Sequence, residues 1–137
     1  MELKKLLSQC EYSVIQGSLE LDIADVIYDS RKVTKGCAFV CLKGFNVDGH
    51  KFIPDALEKG ATALIVQDDI TAPKDIAVIK VADTRATLAK MSTEYFNHPA
   101  KELKTIAITG TKGKTTTVAM IRSIRETAGI KTATIGT

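Results

Sequence analysis

Leu103 to Thr117 reads LKTIAITGTKGKTTT, a buried-strand run (Leu103 to Thr109) that passes at once into a glycine-bearing turn (Gly110 to Gly113). A helical pattern follows, with Met120, Ile121, Ile124 and Ala128 on its apolar side and Gly129 as its stop. Strand, glycine turn and helix in that order make one α/β unit. The turn aims backbone N–H groups and a helix N-terminus at one point, a geometry that binds phosphate oxygens. Gly110, Thr111, Lys112 and Gly113 would form the cradle. Lys114 would reach the β- and γ-phosphates of a nucleotide, Thr115 would offer its hydroxyl to Mg²⁺, and Thr116 would add a donor from the first helical turn. For Lys112, a solvated loop lysine fits the sequence as well as a phosphate contact does. The strict pattern G-x-x-x-x-G-K-[ST] is not met, because Ile108 stands where its first glycine belongs. Lys131 to Ile135 reads as a further strand.

Working outward, the charge changes sign along the chain. Residues 1–99 hold twelve bases and fourteen acids, net −2, whereas residues 100–137 hold seven bases and two acids, net +5. The shift follows Asn97-His98-Pro99-Ala100, a breaker cluster, so two domains are expected, 1–98 and 99–137, the second incomplete. In the first, Asp25–Tyr28, Cys37–Leu42, Ala63–Val66 and Ile76–Val81 are apolar, strand-length runs. Residues 2–10 and 52–59 read as helices, the latter with Pro54 in its first turn and Gly60 as its stop. Asp83 caps a third helix, whose Leu88, Met91 and Tyr95 form a core-facing stripe. The expectation is an α/β fold, a small and mainly parallel sheet with flanking helices.

The composition excludes several classes. The 137 residues are 45% hydrophobic and carry a formal charge of +3, too mild to argue for nucleic acid. No apolar run approaches the roughly 20 residues of a membrane span, and the first residues lack a signal-peptide pattern, so a cytoplasmic domain without a membrane partner is expected. Cys37 and Cys41 fall on one face of a strand-like run and read as small buried residues, although with His50 they could be drawn as zinc ligands. Cys10 closes an apolar stripe with Leu3, Leu6 and Leu7. His50 and His98 show no carboxylate or cysteine framework and read as structural or surface residues.

TGTKGKTTT (109–117) resembles the ATP loop of the Mur ligases, which build the peptide stem of bacterial cell-wall precursors. Residues 28–66, YDSRKVTKGCAFVCLKGFNVDGHKFIPDALEKGATALIV, are similar to the N-terminal domain of the tripeptide-synthetase branch of that family (MurE type). Asp29-Ser30-Arg31, the Gly44 loop, Asp48-Gly49-His50 and Gly60-Ala61 stand in the family's order. The resemblance implies a cytoplasmic bacterial ligase using ATP and Mg²⁺. It would form an acyl phosphate on UDP-N-acetylmuramoyl-alanyl-glutamate, then an amide to a diamino acid, meso-diaminopimelate or lysine. It also implies that residues 1–98 hold the UDP end, with Tyr28 and Ser30 at the uridine and diphosphate and Phe45, Asn46 and Val47 on the uracil-side loop. Lys114 would be the catalytic lysine. Ser30 as a turn hydroxyl, Asp29 and Arg31 as partners of their neighbours, and Phe45 and Val47 as packing residues stay open.

Family members are three-domain chains several times longer. The downstream Mg²⁺-holding acid, the carbamylated lysine and the C-terminal domain have no counterpart here, so the chain reads as a piece of such a ligase, not expected to catalyse alone. Its second segment is expected to leave apolar faces that pack on the first, stay disordered or exchange in a dimer. The alternatives are a MurF-type ligase, whose loop more often reads Gly-Ser where this chain has Gly110-Thr111, a non-catalytic UDP-sugar-binding module, and a generic P-loop NTPase. Folylpolyglutamate synthases begin nearly at the loop, which the long N-terminal segment disfavours.

Overall fold

Strands apolar at every position must be covered on both faces, and this requirement organises the chain. The computed structural model describes residues 1–44 and 47–136. They fall into two compact units, Met1–Pro99 and Ala100–Thr137.

The first unit is built on five strands: β1 (Ser13–Gln16), β2 (Val26–Ile27), β3 (Ala38–Val40), β4 (Ala63–Val66) and β5 (Ala77–Lys80). They lie in the order β1-β5-β4-β3-β2. β2 through β5 run parallel in register, with Ala38 opposite Ala63 and Ala63 opposite Ala77, and β1 closes the edge antiparallel to β5. Successive side chains alternate between faces. Ala38, Val40, Ala63, Ile65, Ala77 and Ile79 face one layer, where they meet Leu3 and Leu6 of helix α1 (Leu3–Leu6) and Met91 of helix α3 (Thr84–Tyr95). Cys37, Phe39, Cys41, Leu64, Val66 and Val78 face the other, covered by Ile53 and Ala56 of helix α2 (Ile53–Glu58). All three layers sit in one unit, and both inner cysteines are buried.

Most local expectations hold. The Asp83 carboxylate accepts from the amides of Arg85 and Ala86 at 2.8 and 3.0 Å and opens α3. Pro54 occupies the first turn of α2, and Gly60 turns the chain after it at φ +95°. The N-terminal helix is shorter than residues 2–10. Its first turn is bound by the loop opposite, with Leu3 N–H on Leu21 O and Lys4 N–H on Leu19 O. β1 has no apolar run to announce it. It exists because β5 offers an unpaired edge, and its register slips between Val14 and Gln16.

In the second unit, helix α4 (Lys114–Thr127) forms as read. Residues 103–109 and 131–135, read above as strands, lie outside the sheet among the described residues. A strand is defined by the ladder it shares, and no strand is paired with either segment. The apolar side of α4 is consequently open, with Met120 60% and Ile124 69% exposed. No helix among the described residues is long and apolar enough to cross a membrane.

Candidate functional site

Four parallel strands deliver their following loops to one edge of the sheet, the carboxyl edge at which α/β sheets bind ligands. Tyr28 to Arg31 follow β2, Cys41 to His50 follow β3, Gln67 to Asp69 follow β4, and Val81 to Thr84 follow β5. Of the residues read from the sequence, Tyr28, Ser30 and Val47 lie in these loops.

Beyond β2, Tyr28 is 60% exposed while Ser30 is only 8% exposed. Asp29 caps a 3₁₀ turn at Ser30–Lys32 and takes a two-pronged ion pair from Arg31, Nε at 2.9 Å and Nη2 at 2.7 Å. The Arg31 side chain and amide hold the Asp29 carboxyl down at about 2. Asp29 and Arg31 therefore pair with each other, the local alternative. Lys59 reaches over from the end of α2 to the Ser30 carbonyl at 2.9 Å and to Asp55 at 3.0 Å. Asp55 is held below the usual carboxylate range by Lys59 and, secondarily, by the Ser30 hydroxyl. Sequence reasoning missed Asp55 and Lys59. Their i, i+4 spacing was the available signal for the pair, but not for its contact with Ser30.

Beyond β3 the chain doubles back. Lys43 and Asp48 form an antiparallel bridge, and the Gly44 amide donates to the Val47 carbonyl at 3.0 Å. Val47 is exposed, and Phe45 and Asn46, the other two residues assigned to the uracil side, lie outside the described residues. Gly49 closes the doubling with its amide on Leu42 O at 2.8 Å. A Cβ there would stand 2.7 Å from the Leu42 backbone N and O, so only glycine fits without a shift. Lys43 is locked to Asp68 at 2.6 Å, which raises its ammonium pKa.

The absence of a carboxylate framework around the histidines, as read above, is corrected here. His50 Nδ1 lies 2.6 Å from Asp48 Oδ1, and His98 Nε2 lies 3.0 Å from Glu94 Oε1. Both carboxylates are close in sequence, but a short spacing without a defined turn does not orient side chains. Asp48, His50 and Asp68 bring their ligating atoms within 4.8 Å of one another. Both ring nitrogens of His50 are nevertheless engaged by the protein itself, since Nε2 accepts from the Gln67 amide at 3.1 Å. A zinc centre with the cysteines has no support in the chemistry. Among the described residues the ligating atoms that come together are those of Asp48, His50 and Asp68, with no cysteine among them, and burial raises the pKa of both Cys37 and Cys41 thiols. A cavity of about 490 Å³ also opens at this edge, lined by Tyr12, Lys43, Gln67, Asp68 and Lys80 but by neither Tyr28 nor Ser30.

In the second unit, Gly113 is the residue before α4 and sits at φ +79°, a left-handed conformation that glycine adopts without strain. No side chain caps the helix, so the first amides, from Lys114 to Thr116, face the loop. Lys114 folds across it to the Gly110 carbonyl at 2.6 Å, and the Thr117 hydroxyl bonds the Gly113 carbonyl at 2.9 Å. Thr111, Lys112, Thr115 and Thr116 are all exposed around this turn. Free amides, a helix N-terminus, a lysine and a left-handed glycine fit a phosphate group. The fit to Mg²⁺ is partial. Thr115 supplies a hydroxyl, but the acids of this segment are Glu102 and Glu126, and Glu126 is paired with Arg122 at 2.8 Å.

A mainly parallel sheet bearing loops at its carboxyl edge, followed by a glycine-opened helix, defines the class of the protein as α/β. Residues 22–96 match the Mur ligase family, catalytic domain, and the chain belongs to that family. Among curated relatives, the UDP-N-acetylmuramoyl-L-alanyl-D-glutamate–2,6-diaminopimelate ligase of Clostridium perfringens is 54% identical over 137 residues, all of this chain and 28% of that protein. The ligase of the same name from Clostridioides difficile is 44% identical over the same span. This chain thus spans less than a third of these relatives. Among solved structures, MurF from Acinetobacter baumannii superposes with a TM-score of 0.66 at 34% identity, over 92% of this chain and 27% of that one. MurF ligase from Thermotoga maritima in complex with ADP gives 0.56 at 30% identity, over 75% of this chain and 23% of that one.

Proposed function

We propose that the chain supplies the UDP-holding part and the phosphate loop of an ATP-dependent ligase that joins 2,6-diaminopimelate to UDP-N-acetylmuramoyl-L-alanyl-D-glutamate in bacterial cell-wall synthesis. The observation that carries the reading is the 54% identity, from end to end of this chain, with a ligase of that name. Tyr28, Ser30, Gly44 and Val47 stand in the loops of the carboxyl edge, where a nucleotide would lie against them, and Phe45 and Asn46 are assigned by the resemblance alone. The Ser30 backbone is held by Lys59, which bonds its carbonyl at 2.9 Å.

Gly110, Thr111, Lys112, Gly113, Lys114, Thr115 and Thr116 form the phosphate cradle in this reading. Lys114 would leave the Gly110 carbonyl for the more strongly accepting phosphate oxygens, while Thr115 would hold Mg²⁺ together with carboxylates from outside this chain. ATP, when bound, supplies a γ-phosphoryl group to the substrate carboxylate and leaves as ADP, activating that carboxyl for attack by the amine. The chain's own contribution is positioning and charge neutralisation. Catalysis by these residues alone is not expected. The exposed side of α4 would pack against further elements of the ATP-binding domain, in preference to a second copy.

Calorimetric titration with UDP-N-acetylmuramoyl-alanyl-glutamate, UDP and ATP tests the reading. Heat with both UDP ligands that is lost in Ser30→Ala is the expected result. ATP heat without UDP heat would instead fit a generic P-loop NTPase. A MurF-type activity is the second reading, favoured by the MurF superpositions. It would show as preference for the UDP-precursor already carrying diaminopimelate over the dipeptide form.

A further inference from the structure

His50 joins its own segment to the end of β4, 17 residues away in sequence. Its Nε2 accepts from the Gln67 amide at 3.1 Å, at the end of β4, with the Asp68 amide at 3.5 Å. An Nε2 that accepts carries no proton, so Nδ1 carries it and donates to Asp48 Oδ1 at 2.6 Å. The same Asp48 oxygen takes the His50 amide at 2.9 Å. Asp48 is one half of the bridge at the base of the turn, facing Lys43, and Lys43 is itself tied to Asp68. The ring is 10% exposed. The two arms of the turn, Lys43-Gly44 and Val47-Asp48, are therefore fastened to β4 twice, by the imidazole on one arm and by the Lys43–Asp68 pair on the other. Only the first link is shielded from water, and a hydrogen bond in that setting holds geometry better than a surface ion pair.

We propose that His50 is a positioning residue for the nucleotide. Its imidazole clasps the Val47-Asp48 arm to the end of β4 and so sets where Val47 stands toward the ligand. The inference rests on the reading of this unit as the UDP holder. The trio Asp48, His50 and Asp68 is a clasp in this account, because both ring nitrogens of His50 are engaged by the protein and one oxygen of each carboxylate is bonded to it.

Two substitutions separate the clasp from a merely local turn. His50→Asn keeps a donor near the Nδ1 position for Asp48 but cannot reach the Gln67 amide. His50→Gln places an amide oxygen near the Nε2 position and can still accept from it. UDP affinity, read by calorimetry, should fall about five- to tenfold in His50→Asn, as expected for one lost hydrogen bond, and recover in part in His50→Gln, which restores the Gln67 contact but not the Asp48 one. ATP affinity should stay unchanged in both. Amide exchange gives a readout that does not depend on UDP: the Gln67 N–H should be protected in the parent chain and in His50→Gln, and exposed in His50→Asn. Equal UDP affinity in all three chains, or a Gln67 amide unprotected in the parent, overturns the clasp. A parent chain with a protected Gln67 amide and no UDP heat overturns the UDP reading of the unit, and the positioning role falls with it.

Discussion

Asp29 and Arg31 form a two-pronged pair at the surface, and they set a measurable pH behaviour. The Asp29 carboxyl, ordinarily near 3.8, is held at about 2. Its folded value lies below its unfolded one, so the pair adds stability at neutral pH and loses that contribution as pH falls from about 4 towards 2. Carboxyl-carbon NMR should place the Asp29 midpoint near the lower value, and Arg31→Ala should raise it part of the way, since the residue 31 amide still donates to it. An unchanged midpoint in the variant would assign the shift to the turn amide instead. Gly49 poses a second residue-scale test. Alanine there puts Cβ against the Leu42 backbone, which cannot swing aside as a side-chain tip can. Gly49→Ala should lower the melting temperature and weaken UDP binding while leaving ATP binding intact.

At the scale of elements, α3 and the phosphate loop depend on their first residues. Asp83 satisfies two amides of α3, and Asp83→Ala should cost about 1 kcal/mol in denaturant unfolding. Met91, fully buried where α3 meets the sheet and α1, is the helix's main anchor. Met91→Ala should cost about 2–5 kcal/mol, the usual range for emptying such a site. Gly113 opens α4 in a conformation that strains any L side chain, so Gly113→Ala should abolish ATP heat without touching UDP heat. Loss of both would mean that the substitution unfolds more than the loop.

Across the whole molecule, the two units differ in how their apolar surface is covered. β3, β4 and β5 are buried on both faces, whereas Met120 and Ile124 of α4 face solvent. A 14-residue helix with an uncovered apolar side is marginal in water, since most helical stability comes from packing. Hydrogen exchange should therefore find the amides of β3–β5 opening only with global unfolding and those of α4 exchanging far faster. Equal protection of α4 would show that its apolar side is covered in solution.

The sequence by itself determined the elements whose signals are local. Ala63–Val66 is apolar at every position and could only be a strand covered twice, and Asp83 with the Leu88, Met91 and Tyr95 stripe specified α3. Gly113-Lys114 marked the helix start that gathers phosphate donors. Only tertiary structure decided what depends on a distant partner. Ser13–Gln16 is a strand because β5 has a free edge, while Leu103–Thr109, more strand-like in composition, is none because nothing pairs with it. Lys59 reaches Ser30 across 29 residues of sequence, and His50 reaches the Gln67 amide across 17. Side-chain type and period can announce a helix or strand, but a ladder, an ion pair across elements or a clasped loop exists only once the chain has brought its halves together.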